Sequence, residues 1–140
     1  MTDDRLEGGC SCGRIRFEAR LPPRFVAHCH CTTCRRAHGA GFVTWAGFPS
    51  EQFELVAGAT DLVRWDTETG STRSFCPTCG TTLLFEGPRW QGEVHVAFAC
   101  FDDTGDLMPQ AHAYADRSPA WCPIADDLPR YGGPDGNEPL

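Results

Sequence analysis

The sequence predicts an all-β protein of short antiparallel strands with little helix, and three observations support this fold class. Glycine (15) and proline (11) are both frequent among the 140 residues, which favours many tight turns over long helices. Polar and apolar residues alternate over residues 14–20, a pattern typical of a half-buried strand. Most of the nine cysteines lie in three tight clusters, so bound metal could staple an otherwise modest core.

Proline, glycine and changes of pattern delimit the remaining elements. Pro22 and Pro23 end the first strand, because proline cannot donate to a sheet ladder. Residues 32–38 predict a short helix that stops at Gly39. Further strands are predicted, in chain order, over residues 42–48, 53–56, 61–65, 72–75, 81–85 and 93–101. The second and third of these are predicted to form a hairpin around Gly58.

The length predicts a single domain. We expect it to span residues 1–130 and to be followed by a flexible C-terminal tail over residues 131–140, since the chain becomes irregular and rich in proline after Ser118. The first residues form no apolar signal region, and no stretch approaches eighteen apolar residues. We therefore expect a cytoplasmic protein without a membrane partner.

The charged residues narrow the classes of partner. The net charge is 12 − 19 = −7, which argues against a nucleic acid or an anionic membrane surface. All twelve basic residues are arginine, and the absence of lysine excludes Schiff-base catalysis. The guanidinium groups of arginine are therefore the permanently charged side chains that could hold a carboxylate of a small substrate.

The cysteine clusters have the spacing of metal ligands, and they read Cys10-x-Cys12, Cys29-x-Cys31-x-x-Cys34 and Cys76-x-x-Cys79. Thiolates two or three residues apart can bind one tetrahedral ion from a single turn. Four of them close a structural zinc site, whereas three leave a position open for chemistry. A disulfide scaffold is the less favoured alternative, because the number of cysteines is odd and no secretory signal is present.

Counting the sulfurs suggests one closed site and one open site. The two outer pairs can combine into a four-sulfur site with the ligands Cys10, Cys12, Cys76 and Cys79. The middle cluster then forms a three-sulfur site with the ligands Cys29, Cys31 and Cys34. An alternative zinc ribbon would join the last two cysteines of the middle cluster to the third cluster, and it would strand Cys10, Cys12 and Cys29. The first arrangement is favoured because it uses every clustered cysteine.

Histidines next to the middle cluster leave the fourth position of its site open to two interpretations. His28, His30 or His38 could close the site as a fourth ligand, which would make it purely structural. His30 lies between two cysteines, so its side chain should point away from their ion, whereas His38 has the better reach. The favoured interpretation is that all three are polar neighbours and not ligands. His95 and His112 lie in apolar surroundings and are expected to be core histidines with hydrogen-bond partners.

The residues around the clusters resemble a known family. The matching segments are GGCSCG at 8–13, HCTTCR at 30–35, FVTW at 42–45 and FCPTCG at 75–80. Their order and spacing over residues 5–130 are similar to those of the glutathione-dependent formaldehyde-activating enzyme family, as are the closing segments 111–121 and 126–129.

This resemblance implies a tent-like β fold with two zinc ions per chain. It implies that the four-sulfur set holds a structural zinc and that Cys29, Cys31 and Cys34 hold a catalytic one. The implied activity is that of a carbon–sulfur lyase, which reversibly forms S-hydroxymethylglutathione from glutathione and formaldehyde. Zinc would be the cofactor and glutathione the co-substrate, so the partners would be a small thiol and an aldehyde.

The chemistry of an open three-thiolate zinc fits that activity. A thiol bound to zinc is deprotonated, so the vacant position could hold the glutathione sulfur as a thiolate beside the aldehyde. Three anionic ligands make zinc a weak Lewis acid, which favours this role over polarisation of the carbonyl. The reverse reaction needs a base for the hydroxymethyl O–H, and His38 is the first candidate, with His30 as the alternative.

Neighbouring residues suggest how a substrate could be held. Arg35 and Arg36 follow the middle cluster and are placed to clamp a carboxylate of glutathione, or else they are solvated surface arginines. Trp45 and Phe48 could wall the site, although packing in the core is the favoured role.

Two alternative functions remain open. The same scaffold could act on a different thiol adduct, or the chain could be a non-catalytic zinc module that binds a protein partner through an exposed strand edge. The fourth ligand of the three-cysteine site distinguishes them, because a side chain that closes this site would argue against catalysis.

Overall fold

A computed structural model describes residues 4–140 and consists mainly of strands, with one short α-helix. The predicted all-β class is thereby confirmed. The chain divides into two compact units, the first ending at Arg24 and resuming over Ala46–Asp106, and the second formed by Phe25–Trp45 and Leu107–Leu140. Within the described residues, no helix has the length and apolar character that a membrane crossing requires.

The first unit contains most of the strands. They are β1 (Arg5–Gly9), β2 (Arg16–Arg20), the last part of β4 (Val43–Pro49), β5 (Phe53–Ala57), β6 (Val63–Asp66), β7 (Thr72–Phe75), β8 (Thr82–Glu86) and β9 (Glu93–Ala97). One sheet has the order β1-β2-β5, and in the other sheet the strands of this unit have the order β4-β9-β8-β7-β6. Ile15, Phe17 and Ala19 are buried, so the alternation over residues 14–20 directs one face of β2 into the core.

The hairpin predicted around Gly58 is wrong. β5 pairs with β2, whereas β6 pairs with β7. Gly58 has a φ of +76°, and its carbonyl accepts the amides of Asp61 and Leu62, so the chain turns away from β5. β2 offers β5 a better partner, since the rings of Phe17 and Phe53 meet at 5.4 Å.

The second unit contains the helix and several short strands. Its elements are β3 (Phe25–Cys29), α1 (Thr32–His38), the first part of β4, β10 (Ala111–Ala113), β11 (Tyr131–Gly132) and β12 (Glu138–Pro139). The strand order is β10-β3-β4, and β10 runs parallel to β3 with Ala113 opposite Cys29. This pairing departs from the predicted antiparallel arrangement, because the chain returns to β3 only after a long excursion.

The predicted helix and the predicted tail both lie in this unit. The helix over residues 32–38 is confirmed, and it ends at Gly39 with a φ of +61°, the left-handed conformation that glycine adopts at helix ends. Residues 131–140, predicted as a flexible tail, include the antiparallel pair β11 and β12. The amide of Leu140 also donates to the carbonyl of Arg130.

Candidate metal centres

Four cysteine sulfurs of the first unit converge from two turns that are distant in the sequence. The Sγ atoms of Cys10, Cys12, Cys76 and Cys79 all lie within 4.8 Å of one another. The Sγ atom of Cys12 is 3.6 Å from that of Cys10 and 3.8 Å from that of Cys76. Zinc–sulfur bonds of about 2.3 Å place the sulfurs of a tetrahedral site about 3.8 Å apart, so this four-cysteine group could hold a metal ion.

Tight turns present these sulfurs in pairs. Gly13 has a φ of +83° and its amide donates to the carbonyl of Cys10, while Gly80 has a φ of +80° and its amide donates to the carbonyl of Cys76. This backbone conformation favours glycine, which explains the glycine after each pair. The amide of Ile15 also donates to the Sγ atom of Cys10 at 3.3 Å.

Thr81 connects the two turns. Its hydroxyl lies 3.3 Å from the Sγ atom of Cys79, accepts the amide of Ser11 at 3.1 Å and contacts the hydroxyl of Ser11 at 3.2 Å. Hydrogen bonds from the Thr81 hydroxyl and amide lower the pKa of the Cys79 thiol to about 5. The thiolate form, which is the metal-binding form, is therefore favoured.

Three further sulfurs converge in the second unit, and the Sγ atoms of Cys29, Cys31 and Cys34 all lie within 4.8 Å of one another. The Sγ atoms of Cys29 and Cys31 are 3.4 Å apart. β3 ends at Cys29, Cys31 caps the helix α1, and Cys34 lies in its first turn. This three-cysteine group could also hold a metal ion, since its soft thiolates suit zinc.

The helix terminus prepares the sulfur of Cys31 for ligation. The amide of Cys34 donates to the Sγ atom of Cys31 at 3.3 Å. The pKa of the Cys31 thiol is lowered to about 2, first by hydrogen bonds from the thiols of Cys29 and Cys34 and then by the Thr33 hydroxyl and the Cys34 amide. The same contacts, together with burial, raise the pKa of Cys29. Metal binding would therefore release protons from this group.

The sulfurs form the four-cysteine and three-cysteine groups of the favoured arrangement. A zinc ribbon would instead need Cys31 and Cys34 to lie beside the third cluster. Among residues 4–140, no histidine nitrogen or carboxylate oxygen joins the three sulfurs at mutual distances below 4.8 Å. His38 packs its ring edge-on against Trp45 at 5.2 Å. The ring of His30 faces His112, so the described histidines are neighbours of the group and do not complete it.

The other predicted contact residues have varied surroundings. The Nε atom of Arg35 donates to the carbonyl of His30 at 3.2 Å, so this guanidinium supports the cysteine segment. Arg36 is exposed. Trp45 and Phe48 are both buried, which agrees with the favoured role in core packing.

Two residues near the three-cysteine group were missed as functional candidates. His112, predicted as a core histidine, is buried, and its ring nitrogens bond to His30 and to Asp126. Asp126 lies in the closing segment 126–129, which carries part of the family resemblance, but the sequence pattern gives it no role of its own. No local motif marks it, because its partner is 14 residues away in the sequence.

Comparison with family models identifies a match over most of the chain. Residues 5–117 match the model of the glutathione-dependent formaldehyde-activating enzymes. The match includes both cysteine groups and ends before Asp126.

Individual relatives and a solved structure agree with that match. A Halomonas elongata protein, assigned provisionally by its name to the glutathione-dependent formaldehyde-activating enzymes, is 29% identical over 126 residues, covering 85% of this chain and 80% of its own. An uncharacterized lyase of Schizosaccharomyces pombe is 32% identical over 79 residues, 56% of each chain. The crystal structure of a Rhodobacter sphaeroides protein superposes with a TM-score of 0.62 at 26% identity, covering 72% of this chain and 92% of that one.

Proposed function

Because this chain belongs to the glutathione-dependent formaldehyde-activating enzyme family, we propose that it is a zinc-dependent carbon–sulfur lyase. Its reaction would interconvert S-hydroxymethylglutathione with glutathione and formaldehyde. The observation that carries this proposal is the three-cysteine group, whose sulfurs converge without a fourth side-chain donor from the described residues. Such a donor set leaves a coordination position for a substrate.

The two cysteine groups would have different roles. The four-cysteine group would bind a structural zinc, because four sulfurs fill a tetrahedral shell. The three-cysteine group would bind the catalytic zinc, whose positive charge would keep a bound glutathione thiol deprotonated. In the synthetic direction the sulfur bonds to the carbonyl carbon of formaldehyde, and the proton lost by the thiol ends on the former carbonyl oxygen.

Residues around the three-cysteine group would handle the proton and hold the substrate. His38 lies one helical turn after Cys34, on the same side of α1, and would take the hydroxymethyl proton in the reverse reaction. Arg36, which is exposed, would hold a carboxylate of glutathione. Arg35 would assist it while also supporting the carbonyl of His30.

The test is exchange NMR of formaldehyde and glutathione with and without the zinc-loaded protein. We expect the wild type to accelerate the exchange, the variant Cys31→Ser to lose the acceleration, and the matched control Cys122→Ser, outside both cysteine groups, to retain it. An exchange rate with the wild type equal to the spontaneous exchange rate would contradict the proposed activity. Replacing glutathione by cysteine or another small thiol in the same assay tests the alternative substrate.

A further inference from the structure

Two histidines and an aspartate form a hydrogen-bonded chain beside the three-cysteine group. The Nε2 atom of His112 lies 2.8 Å from Oδ1 of Asp126, and its Nδ1 atom lies 2.8 Å from Nε2 of His30. Both histidines are buried, at 2% exposure for His30 and 4% for His112. We refer to these residues as the Asp126–His112–His30 chain.

The carboxylate of Asp126, at one end of this hydrogen-bonded chain, determines which ring nitrogens of the two histidines carry a hydrogen. Hydrogen bonds from the ring of His112 and the amide of Leu128 lower the pKa of Asp126, so its ionised side chain accepts only. His112 must then donate through Nε2. The Nδ1 atom of His112 is then left to accept the hydrogen of Nε2 of His30, which lies 2.8 Å away.

This arrangement holds the ring of His30 by one side. Its Nδ1 atom is buried and has no hydrogen-bond partner within the described part of the chain. The bond from Nε2 to His112 is therefore the polar contact that orients the ring.

The strand geometry connects that ring to the sulfurs. His28 and His30 lie on one side of β3 and its continuation, since both rings contact that of His112, at 4.9 and 5.0 Å. Cys29 lies between them and presents its side chain to the opposite side, because successive residues of an extended chain alternate. The histidine side thus supports the same backbone that carries the sulfurs on its other side.

The backbone of His30 is held at both of its polar groups as well. Its amide donates to the carbonyl of Ala113 at 3.0 Å, and its carbonyl accepts Nε of Arg35 at 3.2 Å. With the ring bonded to His112, the residue between two sulfur-bearing neighbours is anchored at three points. A shift of this residue would move both neighbouring sulfurs.

We propose that Asp126 and His112 are positioning residues for the three-cysteine centre. Through His30 they hold the neighbouring sulfurs in the converged arrangement before a metal ion binds. The inference rests on the proposed function only in that this centre binds a metal, and it is independent of which thiol or aldehyde reacts there. Loss of the outer partners of metal sites lowers metal affinity by about 10- to 100-fold, and we expect an effect on that scale here.

Asp126 allows a test that leaves the core intact, because its side chain is 46% exposed. Asp126→Ala removes the acceptor for His112. Asp126→Asn keeps an oxygen that can accept the same hydrogen bond, and Asp127→Ala removes a neighbouring exposed carboxylate as a matched control. The full-length variants are loaded with Zn²⁺ and titrated with a chelator, while ¹¹³Cd NMR of the Cd²⁺-loaded forms reports each centre separately. The resonance that disappears in Cys31→Ser assigns the three-cysteine centre.

We expect Asp126→Ala to release metal from the three-cysteine centre at a chelator concentration at least about 10-fold lower than the wild type. Asp126→Asn should recover part of this loss, and Asp127→Ala should match the wild type. The four-cysteine centre should keep its affinity and its resonance in all three variants. Equal affinity of Asp126→Ala and wild type would overturn the proposal, as would parallel weakening of both centres.

The assay separates this inference from the proposed activity, because it contains neither glutathione nor formaldehyde. A protein that fails to catalyse exchange but shows the selective loss still supports the positioning role. A wild-type chain that binds a single metal ion, at the four-cysteine centre, would overturn both.

Discussion

Gly8 occupies a place in β1 where a side chain does not fit. A Cβ atom there would lie 2.3 Å from the carbonyl oxygen of Cys100, 2.6 Å from the ring of Phe17 and 2.9 Å from Cα of Phe101. Two of these neighbours are backbone atoms of the turn that ends at Phe101, and they cannot move without displacing that turn. Gly13 has open surroundings, so it is required for its positive φ and not for space.

We expect substitutions at these two glycines to lower the free energy of unfolding by different amounts. We expect Gly8→Ala to lower the free energy of unfolding by about 3 kcal/mol, since the clash involves backbone. Gly13→Ala should cost about 1–2 kcal/mol for the left-handed conformation alone. Urea unfolding of the metal-loaded variants measures both. A cost for Gly8→Ala no larger than that for Gly13→Ala would contradict the crowding around β1.

Single residues differ in how far the sequence reveals their roles. Gly39 and Gly80 could be predicted, because a helix end and a metal-binding turn each have a local pattern. The role of Asp126 could not be predicted, since its contact with His112 forms only when the closing segment packs beside β10. The same reason hides the contact between His112 and His30, which are 82 positions apart.

Among the strands, β9 carries a buried titratable group. The Nε2 atom of His95 lies 3.0 Å from Oε1 of Glu93, and Arg24 bonds to the other carboxylate oxygen at 2.6 Å. Burial lowers the pKa of His95, with Glu93 opposing the shift. The unfolded chain therefore takes up a proton below about pH 6.5, before the folded chain does, and the difference destabilises the fold as the pH falls.

The variant His95→Gln should remove this contribution. We expect the wild type to lose unfolding free energy faster than the variant as the pH is lowered from 7 to 5. The gap between them should change by less than about 1.4 kcal/mol per pH unit, the limit for one proton. Urea unfolding of both proteins at pH 7, 6 and 5 measures this gap. A gap that stays constant with pH would show that His95 does not titrate differently on folding.

The elements also show where pattern-based prediction stops. The strands on either side of the third cluster could be predicted, and β7 and β8 do pair across it, because a short metal-type turn leaves its two strands adjacent. The strands around Gly58 could not be paired correctly. Sequence proximity favours a hairpin, but each strand finds a better partner elsewhere in the first unit.

Across the whole molecule, the two cysteine groups should make unequal contributions to stability. The four-cysteine group joins residues 64 positions apart, so a metal bound there would act as a cross-link that closes a long loop. The three-cysteine group comes from one short segment, 29–34, and would close almost no loop. The first centre should therefore support the fold, and the second should mainly serve the chemistry.

We expect Cys12→Ser to lower the free energy of unfolding by about 3–5 kcal/mol, the scale of a cross-link that closes a long loop. Cys12 is exposed, so the substitution leaves the core unchanged. Cys31→Ser should lose one metal ion and cost less stability. Metal analysis and thermal unfolding of the two variants and of Cys122→Ser measure these effects. The reverse order of stability would assign the structural role to the three-cysteine group.

The sequence by itself determined the strand-rich class, the two sets of metal-type cysteines, the turn glycines and the short helix after Cys31. Each depends on spacing within a few residues, where chain geometry limits the alternatives. Only the tertiary structure decided that β10 runs parallel to β3, that the strands around Gly58 separate, and that Asp126, His112 and His30 form a hydrogen-bonded chain. These contacts depend on which surfaces are buried together, and local patterns do not encode that choice.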